Sequence, residues 1–444
     1  MAALPENTVR ASLERLAGDC LQCYQCGQCT AACPSGWDFD EGPRRVVRLV
    51  LAGDAAELMD NEDVWRCNEC GNCTAACPME VDTRAVMTTV RELQREHGGA
   101  SCPERRAVDV AHRQLGRRAR IDNIAFGAAM VSRGAVPRDL VGSAVQGATS
   151  ARSLLARVRA QVVEMTGADR RWPQLTQEDG RPAGVAGPAG LTTDEQTEAQ
   201  PFFAGCALPQ DLEAYRLTHK VAADLGLALA EQASAGCCGH PARGTRPATY
   251  KADGAALTVC PACDAGLREV GQQTRPLWDA LTEKARRDGA SLAAAAPALV
   301  PYVGCLGERG AALTALADAA ELAGVEVRRS YPSLHASCCG ALGGMFRGQT
   351  TGTRRLLDFA AAAQAPIVTT CLLCRDNLRS GARLSRLPVS VYYWPEFFSA
   401  AKPAAPSPSP DPRKARPAGA ASVAAGPVTA VATSAPVSKD DTHE

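Results

Sequence analysis

The sequence predicts a mixed multidomain chain of the α+β and α/β classes, with a small helical domain, two repeated α/β lobes and a disordered tail. Three observations predict it. CYQCGQCTAACP, carrying Cys23, Cys26, Cys29 and Cys33, recurs as CNECGNCTAACP with Cys67, Cys70, Cys73 and Cys77, every cysteine displaced by 44 residues. A second cysteine pattern also occurs twice: Cys206, the adjacent Cys237 and Cys238 before Gly239, and Cys260 with Cys263, then Cys305, Cys338 and Cys339 before Gly340, and Cys371 with Cys374. Composition shifts near residues 173 and 401 separate these systems from a linker and a tail. At 444 residues and 46% apolar composition, two or three domains are expected, and a formal net charge of zero gives no global field for nucleic acid.

The first motif sets three thiolates at short intervals around one face of a four-iron cube. The loop cannot encircle that cube, so the fourth ligand comes from elsewhere. This is the signature of two-cluster ferredoxins, with Pro34 or Pro78 turning the chain away. Resemblance to ferredoxins of this pattern implies that the fourth cysteine serves the other cluster. Cys23, Cys26, Cys29 and Cys77 then hold one cubane 4Fe-4S cluster, and Cys67, Cys70, Cys73 and Cys33 hold its neighbour. Paired CxxC motifs also bind zinc, but a full repeat of CxxCxxCxxxCP is poor zinc geometry. MAALPENTVRASLERLAGDC has neither the basic segment nor the apolar core of a signal peptide, which predicts thiols in a reducing cytosol. Cys20 adds one more CxxC step and reads as a spare thiol or a substitute ligand.

Two helices are predicted around these motifs. Pro43 opens and Gly53 closes one with Val46, Val47, Val50 and Leu51 at helical spacing; the other starts after Asp82, carries Val86, Val90 and Leu93, and stops near Gly98. They cover the clusters with apolar side chains and complete a domain over residues 1–100, with Cys102 a lone core or surface residue beyond. Residues 101–200 read as a helical, arginine-rich extension and linker. Between Arg105 and Arg171 stand 13 arginines against 5 acids, a solvated face or a docking surface for an acidic partner. Arg133 and Arg138 interrupt the most apolar stretch, from Ile121 to Val145, so no transmembrane segment is expected. The linker proper is Pro173 to Gln200, mixing Gly, Pro, Thr and acids without periodicity. Residues 401–444, rich in Pro, Ala and Ser, form the expected disordered tail.

Each remaining unit, 201–290 and 291–400, begins with an apolar strand-like run, PFFAGC or ALVPYVGC, and sends another, LTVC or PIVTTC, into its CxxC. The cysteines thus fall at strand ends. Neighbouring side chains on a strand point to opposite faces, so both thiolates of a Cys-Cys pair reach one cofactor only from a turn, which the following glycine permits. Five thiolates exceed the four corners of a cube. Either one cysteine stays free or the cluster is not a cube.

The N-terminal half, including PRRVVRLVLAGDAAELMDNEDVWRCNECGNCTAACP, resembles the C-type subunit of heterodisulfide reductase, and the C-terminal half resembles the B-type subunit with its two CCG domains. The resemblance covers residues 15–100 and 201–398. It implies a non-cubane 4Fe-4S cluster in each lobe, one on Cys206, Cys237, Cys238, Cys260 and Cys263, the other on Cys305, Cys338, Cys339, Cys371 and Cys374. Cluster-borne disulfide chemistry would then lie at Cys237 and Cys238, and at Cys338 and Cys339. Only 21 residues separate Cys238 from Cys260, against 31 between Cys339 and Cys371, so a covering helix is expected to be largely missing from the first lobe.

His240 is a candidate proton donor to a leaving thiolate, though a histidine in such a turn commonly makes local hydrogen bonds. GALGGMFRG after Cys339 opens no Rossmann unit and reads as a close-packed turn. Two functions fit. The first is an iron-sulfur, disulfide-reducing oxidoreductase component of a heterodisulfide reductase-like complex, acting on a disulfide or thiol and requiring a flavoprotein partner that resembles the A-type subunit of that enzyme. The second is an electron relay serving a flavin dehydrogenase, like the iron-sulfur subunits of glycolate oxidase or anaerobic glycerol-3-phosphate dehydrogenase, and feeding quinone. A cytoplasmic location is expected from the lack of a signal-peptide pattern, with any membrane association through a partner.

Four filled motifs give about 16 irons per chain. Iron and acid-labile sulfide analysis after anaerobic purification checks this; a plateau near eight irons with zinc present rules the four-cluster reading out.

Overall fold

A computed structural model describes residues 6–36, 38–102, 105–106, 108–110, 113, 199–205, 207–231, 238, 252–306, 309–330, 335–340 and 350–401. Most of the arginine-rich extension and linker, the glycine-rich stretch 341–349 and the tail from 402 lie outside the described residues, as do Cys206, Cys237 and His240.

The N-terminal domain consists of helices α1 (Glu6–Gly18), α2 (Gln28–Ala31), α3 (Pro43–Ala52), α4 (Ala55–Asp60), α5 (Asp63–Arg66), α6 (Asn72–Ala75) and α7 (Thr83–His97). Helix α3 opens on Pro43 and closes on Gly53, as the sequence predicts, and α7 is capped by Asp82, whose carboxylate accepts the Ala85 N–H at 3.0 Å. The internal repeat extends to the bonding. Arg44 donates its backbone N–H to Thr30 Oγ1 at 3.2 Å, and Arg84 donates its own to Thr74 Oγ1 at 2.9 Å, so each cysteine loop is tied to the first turn of the long helix that follows it. Val46, Val47, Val50, Val86, Val90 and Leu93 pack with Trp65 into one core, which also takes in Cys20 and Cys102. Cys102 is therefore a core residue.

In the C-terminal half the first sheet contains β1 (Gln200–Phe203), β2 (Leu229–Glu231), β3 (Ala256–Thr258) and β4 (Thr274–Pro276), with helices α8 (Leu212–Asp224), α9 (Pro261–Glu269) and α10 (Leu277–Arg287). Its strands are parallel in the order β2-β1-β3-β4. The second sheet, β7-β6-β8-β9, repeats that order with β6 (Ala298–Tyr302), β7 (Glu326–Val327), β8 (Ile367–Thr369) and β9 (Val391–Tyr393), accompanied by α11 (Arg309–Leu322), α12 (Thr351–Ala362), α13 (Leu372–Leu384) and α14 (Trp394–Phe397). Helix α12 fills the interval between Cys339 and Cys371; the corresponding interval of the first lobe is largely outside the described residues.

The two lobes share a core. Trp278 of the first stacks on Trp394 of the second, centroids 5.2 Å apart, and both pack among Leu257, Leu281, Leu299, Val368 and Phe398. The end of the described chain, β10 (Phe398–Ala400), pairs antiparallel with β5 (Leu292–Ala294) in the segment that joins the lobes.

Arg375 locks this arrangement. It is buried, with ion pairs to Asp211 at the start of α8 (2.6 Å), to Asp376 (2.6 Å) and to Glu396 of α14 (2.5 Å). Burial disfavours its charge, but the three carboxylates outweigh that and raise its pKa. Arg375→Met leaves those carboxylates short of a counter-charge and is expected to cost about 3–5 kcal/mol in urea unfolding. Arg275→Met, which breaks an exposed pair with Glu283, is expected to cost about 0–1 kcal/mol.

Candidate iron-sulfur centres

The carboxyl ends of β1 and β3 flank the point where strand order reverses, and those of β6 and β8 do the same in the second sheet. Parallel open sheets bind their ligands in the crevice at such a point. The sequence sends its cysteines there: Cys206 and Cys260 follow β1 and β3, and Cys305 and Cys371 follow β6 and β8. Cys260 and Cys371 stand at the N-caps of α9 and α13, which places the second cysteine of each CxxC, Cys263 or Cys374, in the first helical turn. The glycine before each leading cysteine has positive φ, +70° at Gly205 and +77° at Gly304. A Cβ on Gly205 would lie 2.9 Å from Cys263 Sγ, so a side chain is excluded there by both conformation and space.

In the second lobe all five cysteines are buried and gathered together. Cys305 hydrogen-bonds Cys338, and Cys374 hydrogen-bonds both Cys339 and Cys371. The Cys-Cys pair lies on a turn, as expected, with Gly340 at φ +85°. Tyr302 Oη donates to the Ser337 carbonyl at 2.5 Å, and Thr350 Oγ1 to that of Cys338 at 2.7 Å, fixing the turn from both sides. In the first lobe Cys238, Cys260 and Cys263 come together; Cys206 and Cys237 are outside the described residues. The two sets meet where Cys260 Sγ stands 3.9 Å from Cys371 Sγ. A cavity of about 70 Å³ opens beside Cys260, lined by Asp264, Arg268, Trp278 and Thr370, on the scale of a few waters.

Proton sharing divides these thiols. Hydrogen bonds from Cys263 and Cys371 hold Cys260 well below the usual thiol range, while Cys371 is pushed well up by its bond to Cys260. Likewise Cys305 favours the thiolate of Cys338 and is itself raised.

In the N-terminal domain Cys33 does not sit with its own motif alone. Burial pushes its thiol well up, and the next contributions come from Cys67, Cys70 and Cys73. Cys77 is correspondingly a neighbour of Cys20 and of Tyr24 beside Cys26. Burial raises Cys67 to about 11, against the pull of Arg91, and Cys73 to about 12. Cys20 is fully buried next to Cys23 and Cys77 and raised to about 11, again chiefly by burial. Such donor sets fit iron-sulfur clusters: desolvation opposes a bare thiolate, and bound iron supplies the compensating positive charge that deprotonates it. Among the described residues no three ligand side chains converge on a single metal ion.

The two cysteine systems touch. Cys70 packs against the buried cluster that contains Cys305, Cys338, Ala262 and Leu306. Asn72 Nδ2 donates to Cys70 Sγ at 2.8 Å and to the Cys305 carbonyl at 3.4 Å. The Cys338 N–H donates to the Pro34 carbonyl at 3.1 Å, and Thr351 donates N–H and Oγ1 to Asp38 at 3.1 and 3.2 Å. Sequence reasoning passed over Asn68, Asn72 and Asp38; the one signal for the first two was that they differ from Tyr24 and Gln28, their counterparts in an otherwise repeated motif. The described histidine nearest a CCG turn, His335, has its pKa lowered, chiefly by burial and against its bonds to Pro301 O and the Ser330 N–H.

Residues 22–82 match the 4Fe-4S dicluster domain family, and residues 201–268 and 300–379 each match the cysteine-rich domain family known as CCG. The chain is thus an iron-sulfur protein built from one dicluster domain and two cysteine-rich domains. Its N-terminal part is homologous to the C-type subunit of heterodisulfide reductase, an organisation consistent with a fusion of C-type and B-type parts. It is 34% identical over 83 residues to the C2 subunit of the H(2)/formate:CoB-CoM heterodisulfide,ferredoxin reductase of Methanococcus maripaludis, covering 19% of this chain and 45% of that protein. It is also 34% identical over 86 residues to the C 2 iron-sulfur subunit of the CoB--CoM heterodisulfide reductase of Methanocaldococcus jannaschii, covering 19% and 46%. The chain spans less than half the length of these curated relatives. Iron-sulfur electron transfer is the function that the domains and relatives support together. Among the described residues no helix is long and apolar enough to cross a membrane.

Crossed ligation makes a prediction about Cys33. Cys33→Ala is expected to weaken the same electron paramagnetic resonance signal as Cys67→Ala and to spare the one lost in Cys23→Ala; the opposite pairing sinks the assignment.

Proposed function

We propose that this chain is the electron-transferring and disulfide-reducing component of a heterodisulfide reductase-like complex. Cys23, Cys26, Cys29 and Cys77 would hold the cluster that receives electrons, Cys67, Cys70, Cys73 and Cys33 the cluster that passes them on, and the second CCG lobe the one that delivers them. The observation that carries this order is the packing of Cys70 against the cluster that holds Cys305 and Cys338. Tunnelling falls steeply with distance, so packed ligands of two centres give the shortest exit. Exposure favours electron input at the other site: Leu21 is 76% and Tyr24 62% exposed, and Cys26 beside them is open to solvent. That face suits a flavoprotein partner resembling the A-type subunit of heterodisulfide reductase.

Bound at these sites, iron-sulfur clusters supply single electrons at potentials set by net charge, hydrogen bonds to sulfur and exposure. The chain does the rest. It keeps water from the second-lobe thiols, aligns Cys338 with the incoming site through Pro34, and brings the two lobes together at Cys260 and Cys371. Reduction of a disulfide breaks one S–S bond, consumes two electrons from the donor and two protons from solvent, and releases two thiols. Two single-electron centres side by side are suited to that stoichiometry.

With a reduced donor, thiol production from a panel of disulfides is expected and should fall to background in Cys339→Ala. Turnover unchanged in the variant shows that the chemistry lies elsewhere. Cluster reduction without any disulfide turnover, with the partner complex reconstituted, favours an electron relay to a flavin dehydrogenase and quinone.

A further inference from the structure

The two ferredoxin-type motifs are near copies, yet they face different surroundings. Tyr24 and Gln28 of the first are exposed, whereas Asn68, which takes the place of Tyr24, is only 4% exposed. Asn72, in place of Gln28, is half-buried and spans the junction from Cys70 Sγ to the Cys305 carbonyl. Asn68 Nδ2 is buried and finds no well-formed hydrogen bond to nitrogen or oxygen in the protein. Leaving a buried amide donor unpaired is costly, and native folds keep such a group where a further acceptor completes it. The acceptor beside it is sulfur: the Asn68 side chain lies within hydrogen-bonding reach of Cys338.

We infer that Asn68 and Asn72 are positioning residues that set the electron hand-over between the second ferredoxin-type site and the second CCG lobe, Asn72 by donating to the Cys70 sulfur and Asn68 by donating to sulfur at Cys338. The inference rests on the electron-transfer reading given above. An N–H donated to cluster sulfur stabilises the more electron-rich, reduced form, so each amide raises the potential of the site it faces. With one donor on each side of the junction, each side chain moves one of the two potentials independently of the other. At the first site Gln25 donates to Cys23 Sγ at the longer distance of 3.4 Å, and no described amide there reaches a second cysteine system.

The test is a potentiometric titration of the full chain followed by electron paramagnetic resonance, with signals assigned by their loss in Cys23→Ala, Cys67→Ala and Cys374→Ala. Asn68→Leu is expected to weaken electron affinity about tenfold, 59 mV for a one-electron couple, at the centre that depends on Cys374, and to leave the centre that depends on Cys23 in place. Asn72→Leu is expected to do the same at the centre that depends on Cys67. An unchanged Cys374-dependent potential in Asn68→Leu, with every native signal present, overturns the inference and leaves the electron-transfer reading standing. If Asn68→Leu fails to assemble that centre, the native chain labelled with 15N-asparagine decides: pulsed resonance should detect a 15N coupling at the Cys374-dependent signal, and its absence overturns the inference. A native chain with no Cys374-dependent signal overturns the reading itself, and the inference with it.

Discussion

Burial of thiols is the constraint on which the rest of this structure depends. A thiol inside an apolar core resists ionisation, and Cys33, Cys67 and Cys73 are all raised by burial before any neighbour acts. Many such groups gathered in one place form a costly arrangement unless a cation meets them. The fold accepts that cost repeatedly, bringing cysteines from distant parts of the chain to the same few points and keeping water away with Trp65, Val86 and Val90 on one side and Tyr302, Leu356 and Tyr393 on the other. Stability and cofactor binding are therefore linked.

Topology explains how the second system reaches its points. A parallel sheet in the order β2-β1-β3-β4 sends the loops after β1 and β3 to opposite sides, which opens a crevice at their carboxyl ends, and both lobes use it in the same way. Duplication then adds what one lobe lacks. The lobes share the Trp278 and Trp394 stack and the buried Arg375 network, so their crevices are held face to face, and Cys260 lies against Cys371. Buried ion pairs contribute little net stability but penalise every other arrangement of the same charges, and an interface that keeps two cysteine sets in register gains from that.

The N-terminal domain meets this assembly asymmetrically. Its two motifs share the threonine bonds to α3 and α7 and the same cysteine spacing, yet one lies against Cys305 and Cys338 and the other shows Leu21 and Tyr24 to solvent. A symmetric pair of electron sites has no preferred direction. Burying one end and exposing the other gives it an inside and an outside, with the buried asparagines at the inner end.

The sequence by itself determined the iron-sulfur domain type, because cysteine spacing is local: CxxCxxCxxxCP states its reach within about a dozen residues, and the helix bounds at Pro43, Gly53, Asp82 and Gly98 follow from capping that involves near neighbours. Strand-like runs ahead of Cys260, Cys305 and Cys371 were legible for the same reason. The proposed sharing of thiols between motifs comes from resemblance, and the interval between Cys238 and Cys260 lies largely outside the described residues. Tertiary structure alone decided which motif faces inward, that Cys260 touches Cys371, and that Arg375 joins Asp211 across 164 residues. These are contacts between side chains far apart in the chain, set by how two sheets and a helical domain pack. No local pattern encodes that packing, and Asn68 and Asn72 look in the sequence like ordinary polar residues of a loop.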